Sequence, residues 1–180
     1  MDITSQEKVN ISYVFISAYE NIVDLIKPIH NALNDILKGS NSVNNEFIIS
    51  MHKKFNEKYN SKTLKMKYTH RLLVEIGLMT KQELEILIKL SKIRNDIGHE
   101  SLNIFFNESI TYDYFKLEEL IKLYKSLLTK FKDCFIGKIR NNELLNFNLL
   151  DCKYAYLKNM VEILLSNSKF NTIKQHFKNE

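Results

Sequence analysis

The sequence predicts an all-α fold, an antiparallel bundle of about five to six helices. Its 180 residues include four glycines and one proline, so few positions interrupt a helix. Apolar residues recur at intervals of three and four over most of the chain, which is typical of one helix face. No repeat and no convincing series of strands appears. The length fits one domain over residues 1–180, with a connection, a last helix and a polar tail from about residue 140 onward.

The composition indicates an ordinary soluble protein, with 44% hydrophobic and 26% charged residues. A net charge of +5 permits an acidic partner such as nucleic acid, but a solvated lysine-rich surface is the favoured interpretation of so mild an excess. Only three of the 26 cationic residues are arginines. Two cysteines suggest no disulfide framework, so we expect a cytoplasmic protein with both thiols buried. We expect no membrane span, because no apolar run is long enough.

The first helix is expected from about Ser5 to Gly39, kinked at Pro28. A polar turn over residues 38–45 leads to a second helix, which ends at a break over residues 60–62. A third helix should end at Gly77. The apolar positions that mark these helices are Phe15, Tyr19, Ile22, Ile26, Ile29, Leu33 and Ile36, then Ile48, Met51, Phe55 and Tyr59, then Tyr68, Leu72 and Ile76.

The fourth helix should begin at a capping box formed by Thr80 and Glu83 and stop at Gly98. Residues 100–111 lack a clean period and predict a packed loop or a short extended piece. A fifth helix is expected over about 112–135 and a sixth over about 150–164, separated by a connection at 137–146. The polar end of the chain is expected to fray. The apolar positions are Ile86, Leu90, Ile93 and Ile97, then Leu117, Leu120, Tyr124, Leu127 and Phe131, then Leu150, Tyr154, Leu157, Val161 and Leu164.

The most informative segment is the end of the fourth helix, Arg94-Asn95-Asp96-Ile97-Gly98-His99. On a continuous helix, residues five apart are about 140° out of phase, so Arg94 and His99 would not meet. A turn at Gly98 would swing the imidazole back towards the guanidinium. A purely structural interpretation is also open: His99 would interact with the helix dipole, and Arg94 would pair with Glu118 or Glu119.

The segment resembles the Arg-polar-x-x-x-His signature of the HEPN superfamily of small helical-bundle proteins. The preceding stretch, Arg71-Leu72-Leu73-Val74-Glu75-Ile76-Gly77-Leu78-Met79-Thr80 followed by Glu83, is similar to the mannitol-operon repressor group and related small HEPN proteins. The similarity covers about residues 68–100. It implies a HEPN-like bundle and, because many HEPN proteins are metal-independent endoribonucleases, a role in cutting RNA as a toxin or a phage-defence component.

If the resemblance extends to activity, imidazole and guanidinium chemistry assigns the roles. His99 would transfer protons, Arg94 would stabilise the charged phosphate, and Asn95 would orient one of them. Lys89 and Lys92 would bind single-stranded or tRNA-like RNA. No metal or other cofactor is expected, since the five histidines show no ligand spacing. The resemblance implies a homodimer in which both copies of Arg94 and His99 line one groove.

Two alternatives stay open. The chain could be a non-catalytic regulatory or protein-interaction module like the mannitol-repressor group. It could also be one half of a toxin–antitoxin pair with a nucleotidyltransferase-fold antitoxin. Other candidates favour structural roles. A lysine cluster before the third helix is interpreted as a solvated face, three aromatic residues as core rather than base-stacking groups, and His70 as a satisfied histidine. The cluster is Lys53, Lys54, Lys62, Lys65 and Lys67, and the aromatic residues are Tyr112, Tyr114 and Phe115.

Overall fold

The computed structural model describes residues 3–39, 46–59, 64–136 and 146–176. Within these ranges every regular element is helical, as the sequence predicts. The α-helices are α1 (Ser5–Leu37), α2 (Glu46–Tyr59), α3 (Met66–Glu75), α4 (Lys81–His99), α5 (Ser101–Phe106), α6 (Leu117–Ile136) and α7 (Phe147–His176), and a short 3-10 helix over Tyr112–Phe115 precedes α6.

Helix α1 is the centre of the bundle, because each of the other helices packs against it. It runs as one helix through Pro28, so the proline does not divide it. Its apolar stripe is buried from Phe15 to Leu33, which explains how a helix containing proline is held together by packing. The largest fully buried side chains of the bundle are Tyr124, Phe15, Phe55, Phe115, Phe131, Phe135, Ile11, Ile22, Leu25, Ile26, Ile29 and Leu33.

The junction between α3 and α4 confirms the local sequence signals. Gly77 has a φ of 79°, the left-handed conformation that glycine adopts most readily, and the Leu78 N–H donates to the Leu73 carbonyl at 2.9 Å. Thr80 then begins α4. Its hydroxyl accepts from the Glu83 N–H at 3.1 Å, and the Glu83 carboxylate accepts from the Thr80 N–H at 2.7 Å. The predicted capping box is present with both reciprocal bonds.

The end of α4 differs from the prediction. The helix does not stop at Gly98 but continues to His99, and the Glu100 N–H still donates to the Asp96 carbonyl at 2.7 Å. Glycine can end a helix by adopting positive φ, yet only Gly39 and Gly77 do so among the described glycines. The expected turn that would bring His99 back towards Arg94 is therefore absent.

The segment after α4 also differs. The predicted loop contains the six-residue helix α5, too short to show a period in the sequence. Its Ile104 is buried and Phe105 is half-buried, but Phe106 is 73% exposed rather than packed. Lys116, with φ 49°, separates the 3-10 helix from α6, so the predicted fifth helix is interrupted there. Three predicted non-helical segments lie outside the described residues, entirely or nearly so. They are the break at 60–62, the turn at 38–45 and the connection at 137–146.

Candidate functional site

The last turns of α4 hold the five residues that the sequence assigns to function. With 100° per residue, Arg94 points about 140° away from His99 and lies about 7.5 Å from it along the axis. The buried residues Leu87, Leu90 and Ile97 define the core side of α4, and Arg94 lies beside them. The structure therefore separates Arg94 from His99 within one chain.

Arg94 is half-buried in the contact between α4 and α1, where it binds Glu20. Its Nε and Nη2 donate to the same Glu20 carboxylate oxygen, Oε1, at 3.2 and 3.0 Å. Both side chains keep access to solvent, with 42% of Arg94 and 44% of Glu20 exposed. The partner predicted from sequence is Glu118 or Glu119, but Glu118 pairs with Lys122 on its own helix at 3.5 Å.

The Glu20 contact fixes which part of the guanidinium remains available. Nε and Nη2 form one edge of the planar group, and Nη1 with the outer hydrogen of Nη2 forms another. Because Glu20 occupies only the first edge, the second can still donate two parallel hydrogen bonds. Two parallel donors match a carboxylate or a phosphate. Arg94 is thus oriented by α1 and still able to bind an anion.

The opposite side of α4 is exposed and carries the other predicted residues. Lys92, Asn95 and His99 follow one another at intervals of three and four residues and share one exposed face. Within the described residues, neither Asn95 nor His99 has a hydrogen-bond partner. Lys89 is exposed on the adjoining edge, and Ile88, one turn before Lys92, is 59% exposed. The structure groups these side chains and leaves Arg94 apart from them.

Asp96, which the sequence did not single out, fixes the end of α4. Its Oδ2 accepts a hydrogen bond from the Tyr114 hydroxyl at 3.3 Å, which links α4 to the 3-10 helix. Burial of the ring, with the charge and the hydrogen bond of Asp96 and the charge of Glu100, raises the pKa of Tyr114 to about 12. Tyr114 therefore stays neutral and keeps donating at any physiological pH.

The aromatic, lysine and cysteine residues that the sequence assigns to structural roles are buried to different degrees. Phe115 is fully buried and Tyr114 is half-buried, whereas the side chain of Tyr112 lies outside the described residues. The described members of the lysine cluster are exposed, and Lys62 lies outside the described residues. Of the cysteines, Cys134 is half-buried and Cys152 is exposed, so the expectation that both are buried is wrong for Cys152.

His70 lies on α3, close to His30 of α1. The neighbouring Thr69 is fully buried, and its hydroxyl bonds to Nδ1 of His30 at 2.8 Å, while Asn34 bonds to Nε2 of His30 at 3.1 Å. Burial, with the nearby His30, lowers the pKa of His70 to about 4, and burial also lowers the pKa of His30. The two histidines are therefore part of the contact between α1 and α3.

The described residues include no cluster of three or more histidine, cysteine or acidic side chains able to hold a metal ion. None of the described helices has an apolar stretch long enough to cross a membrane.

Comparisons of the chain with protein-family models, with curated proteins and with solved structures give no match.

Proposed function

We propose that this protein is a metal-independent endoribonuclease of the HEPN type, acting as a toxin or a phage-defence component. The proposal is supported by the contacts and the exposure of two side chains at the end of α4. Arg94 is held by Glu20 with a two-donor edge left open, and His99 is exposed on the following turn with no partner among the described residues. A phosphate-binding cation and a proton-transfer group are the minimum for cleavage at a 2′-hydroxyl.

The reaction needs no cofactor. A base removes the proton of the 2′-hydroxyl, and the resulting oxygen attacks the adjacent phosphorus. The P–O5′ bond breaks, an acid protonates the leaving 5′ oxygen, and the product ends are a 2′,3′-cyclic phosphate and a 5′-hydroxyl. His99 transfers the protons, Arg94 neutralises the charge on the phosphate, and Asn95 orients the phosphate or the imidazole. Lys89 and Lys92 bind neighbouring phosphates.

The angle between Arg94 and His99 sets a requirement for a second copy. One chain directs these side chains about 140° apart around α4, which disfavours contact of both with a single phosphate. In a two-fold dimer, the Arg94 of one protomer faces the His99 of its partner, and the symmetry makes two such sites. We therefore propose a homodimer whose active sites are each composed from both chains.

A mixing experiment tests this arrangement. Arg94→Ala and His99→Ala proteins are each expected to lose cleavage by at least roughly 100-fold, judged from general acid–base and electrostatic contributions. After the two are unfolded and refolded together, the heterodimer contains one site with an intact Arg94 and an intact His99. Activity should return to about a quarter of the wild-type value, since half the dimers are mixed and each has one intact site.

The readout is cleavage of end-labelled RNA with detection of 2′,3′-cyclic phosphate ends, in the presence and absence of EDTA. Unchanged rates in EDTA are expected. Inhibition by EDTA, full activity of both variants, or cleavage by a strictly monomeric protein would show that the mechanism is wrong. An inactive mixture of the two variants, each of them folded, would contradict the shared site but not the ribonuclease function.

The second candidate is a non-catalytic regulatory or protein-interaction module. It is favoured by the Glu20–Arg94 ion pair, which already gives Arg94 a structural partner between α1 and α4. In this case wild-type protein leaves labelled RNA uncut, and Arg94→Ala changes stability or partner binding instead. A nucleotidyltransferase-fold antitoxin stays a prediction, which co-purification with the product of a neighbouring reading frame would test.

A further inference from the structure

An exposed apolar surface lies on α7, outside the residues assigned to cleavage. Leu149, Tyr156 and Ile163 are 52%, 63% and 53% exposed, and successive members are seven residues apart. We call these three side chains the α7 stripe. The sequence repeats the interval at Phe170 and Phe177. The core side of the helix lies roughly 120° away around its axis. It carries the buried residues Leu150, Leu157 and Val161.

The seven-residue interval of the α7 stripe favours a second helix as its occupant. Seven residues fall about 20° short of two full turns, so the three side chains stay nearly in line over about 21 Å. An apolar line of this kind is typical of helices that pair along their length. Cys152 and Asn159 are exposed three positions after Leu149 and Tyr156. They therefore lie beside the stripe, where the second seam position of each heptad is found.

The charges along α7 argue against a charged occupant. Over residues 147–166 the helix has four charged side chains, and each forms an ion pair within its own chain. The pairs are Asp151 with Lys132, Lys153 with Asp24 at 3.6 Å, and Lys158 with Glu162 at 3.5 Å. This part of the helix therefore offers no excess charge to a polyanion or to a highly charged protein. A helix with an apolar stripe and balanced charges complements it better.

We propose that the α7 stripe binds the α7 stripe of a second copy, with the two helices parallel. A second copy supplies the same interval and the same balance of charge. In a parallel pair each seam residue faces its own copy, so every apolar layer is apolar on both sides. Asn159 then meets Asn159, and an amide can both donate to its copy and accept from it. In an antiparallel pair, Tyr156 and its neighbours in the stripe would face the polar positions instead.

This interface is distinct from the α4 contact that the proposed ribonuclease function requires. The inference goes beyond that function and does not rest on it, because the α7 stripe contains no residue assigned to cleavage. Helix α7 packs against α1 and α6. A protein that forms only the α7 contact is a dimer, and one that forms both contacts is a larger assembly. In either case, breaking the α7 contact should halve the number of chains, since a two-fold contact joins assemblies in pairs.

Sedimentation equilibrium of the full chain, without RNA, measures the assembly. The mass of wild type should be about twice that of Ile163→Asp and of Tyr156→Asp, because each substitution buries two facing carboxylates in an apolar layer. Leu102→Asp is the matched control, since Leu102 is 70% exposed on α5 and lies outside the stripe. It should leave the mass unchanged. Circular dichroism should show that all three variants are folded.

Cys152 reports the direction of the two helices. Because it is exposed at a seam position, a parallel pair places the two Cys152 thiols side by side. Mild oxidation with copper phenanthroline should then join two chains through a disulfide, which appears as a dimer on a nonreducing gel. Cys152→Ser should prevent the cross-link, whereas Cys134→Ser should not.

Three results would overturn the proposal. A monomeric wild type, or an Ile163→Asp variant that keeps the wild-type mass, would show that the α7 stripe is not an interface. An equal loss of mass in Leu102→Asp would show that association does not depend on the stripe. Halving of the mass by Ile163→Asp without a Cys152 disulfide would contradict the parallel arrangement.

Discussion

The two ends of α4 use charged side chains in opposite ways. At its start, the Glu83 carboxylate is only 12% exposed and accepts hydrogen bonds from the Thr80 N–H, from the Ser126 hydroxyl at 2.5 Å and from Lys130 at 2.6 and 2.7 Å. At its end, Arg94 has one carboxylate partner and remains 42% exposed. One end of the helix is saturated with internal partners, and the other keeps donors available to solvent.

The contrast separates stability from function within one element. Removing a partner from a buried charge strongly destabilises the fold, because an unpaired charge in the interior has lost its hydration without compensation. A charge that is partly exposed and singly paired contributes little to folding, and its remaining donors can bind a ligand. The start of α4 therefore anchors the helix to α6, while its end keeps side-chain donors accessible to solvent. Substitutions at the two ends should give opposite profiles of stability and activity.

The largest effect on stability is expected at the start of α4. Glu83→Ala removes the capping carboxylate and leaves Lys130 without its partner, which should lower the free energy of unfolding by roughly 3 kcal/mol. Arg94→Ala breaks a half-exposed pair and should cost only about 0.5 kcal/mol. Urea unfolding followed by circular dichroism measures both. Equal losses at the two positions would show that Arg94 is structural, which would favour the non-catalytic alternative.

Glu83 also predicts a dependence on pH. Burial alone would raise the pKa of its carboxyl group, but the hydrogen bonds from Lys130, Ser126 and Thr80 hold the pKa below its usual value. A carboxyl whose pKa is lower in the folded state stabilises the fold above its unfolded pKa and loses that contribution as the pH decreases. The Glu83→Gln variant should therefore lose less stability than wild type on acidification, as measured by urea unfolding at a series of pH values.

Local signals in the sequence predict the start of α4 and cannot predict its end. Thr80, Glu83 and Gly77 act within a few residues, so their patterns are visible in one sequence. The Glu20–Arg94 pair joins residues 74 positions apart, and no local pattern indicates it. Glycine ends many helices, but Gly98 is exposed inside α4, where the following backbone hydrogen bonds continue the helix.

A second dependence of stability on pH is expected at the contact between α1 and α3, where His70 lies. Because the pKa of His70 is about 4 in the fold and about 6.5 when unfolded, the unfolded chain binds a proton first as the pH decreases. Stability is complete above pH 6.5 and is lost towards pH 4. Between about pH 7 and pH 5 the loss is about 2 kcal/mol. Chemical denaturation of wild type and His70→Gln at a series of pH values measures this loss. If the free energy of unfolding of the variant decreases with pH as steeply as that of wild type, the loss does not come from His70.

Two glycines, one near each end of α4, give small effects on stability of opposite sign. Gly98 lies inside the helix, and a β-carbon added there would have no atom within 4 Å, so Gly98→Ala should stabilise the protein by about 0.5–1 kcal/mol. Gly77 has equally open space but a φ of 79°, so Gly77→Ala should destabilise it by about 1 kcal/mol. Thermal unfolding measures both. Destabilisation by Gly98→Ala would show that the end of α4 adopts the turn that its sequence first suggests, which would let Arg94 and His99 meet within one chain.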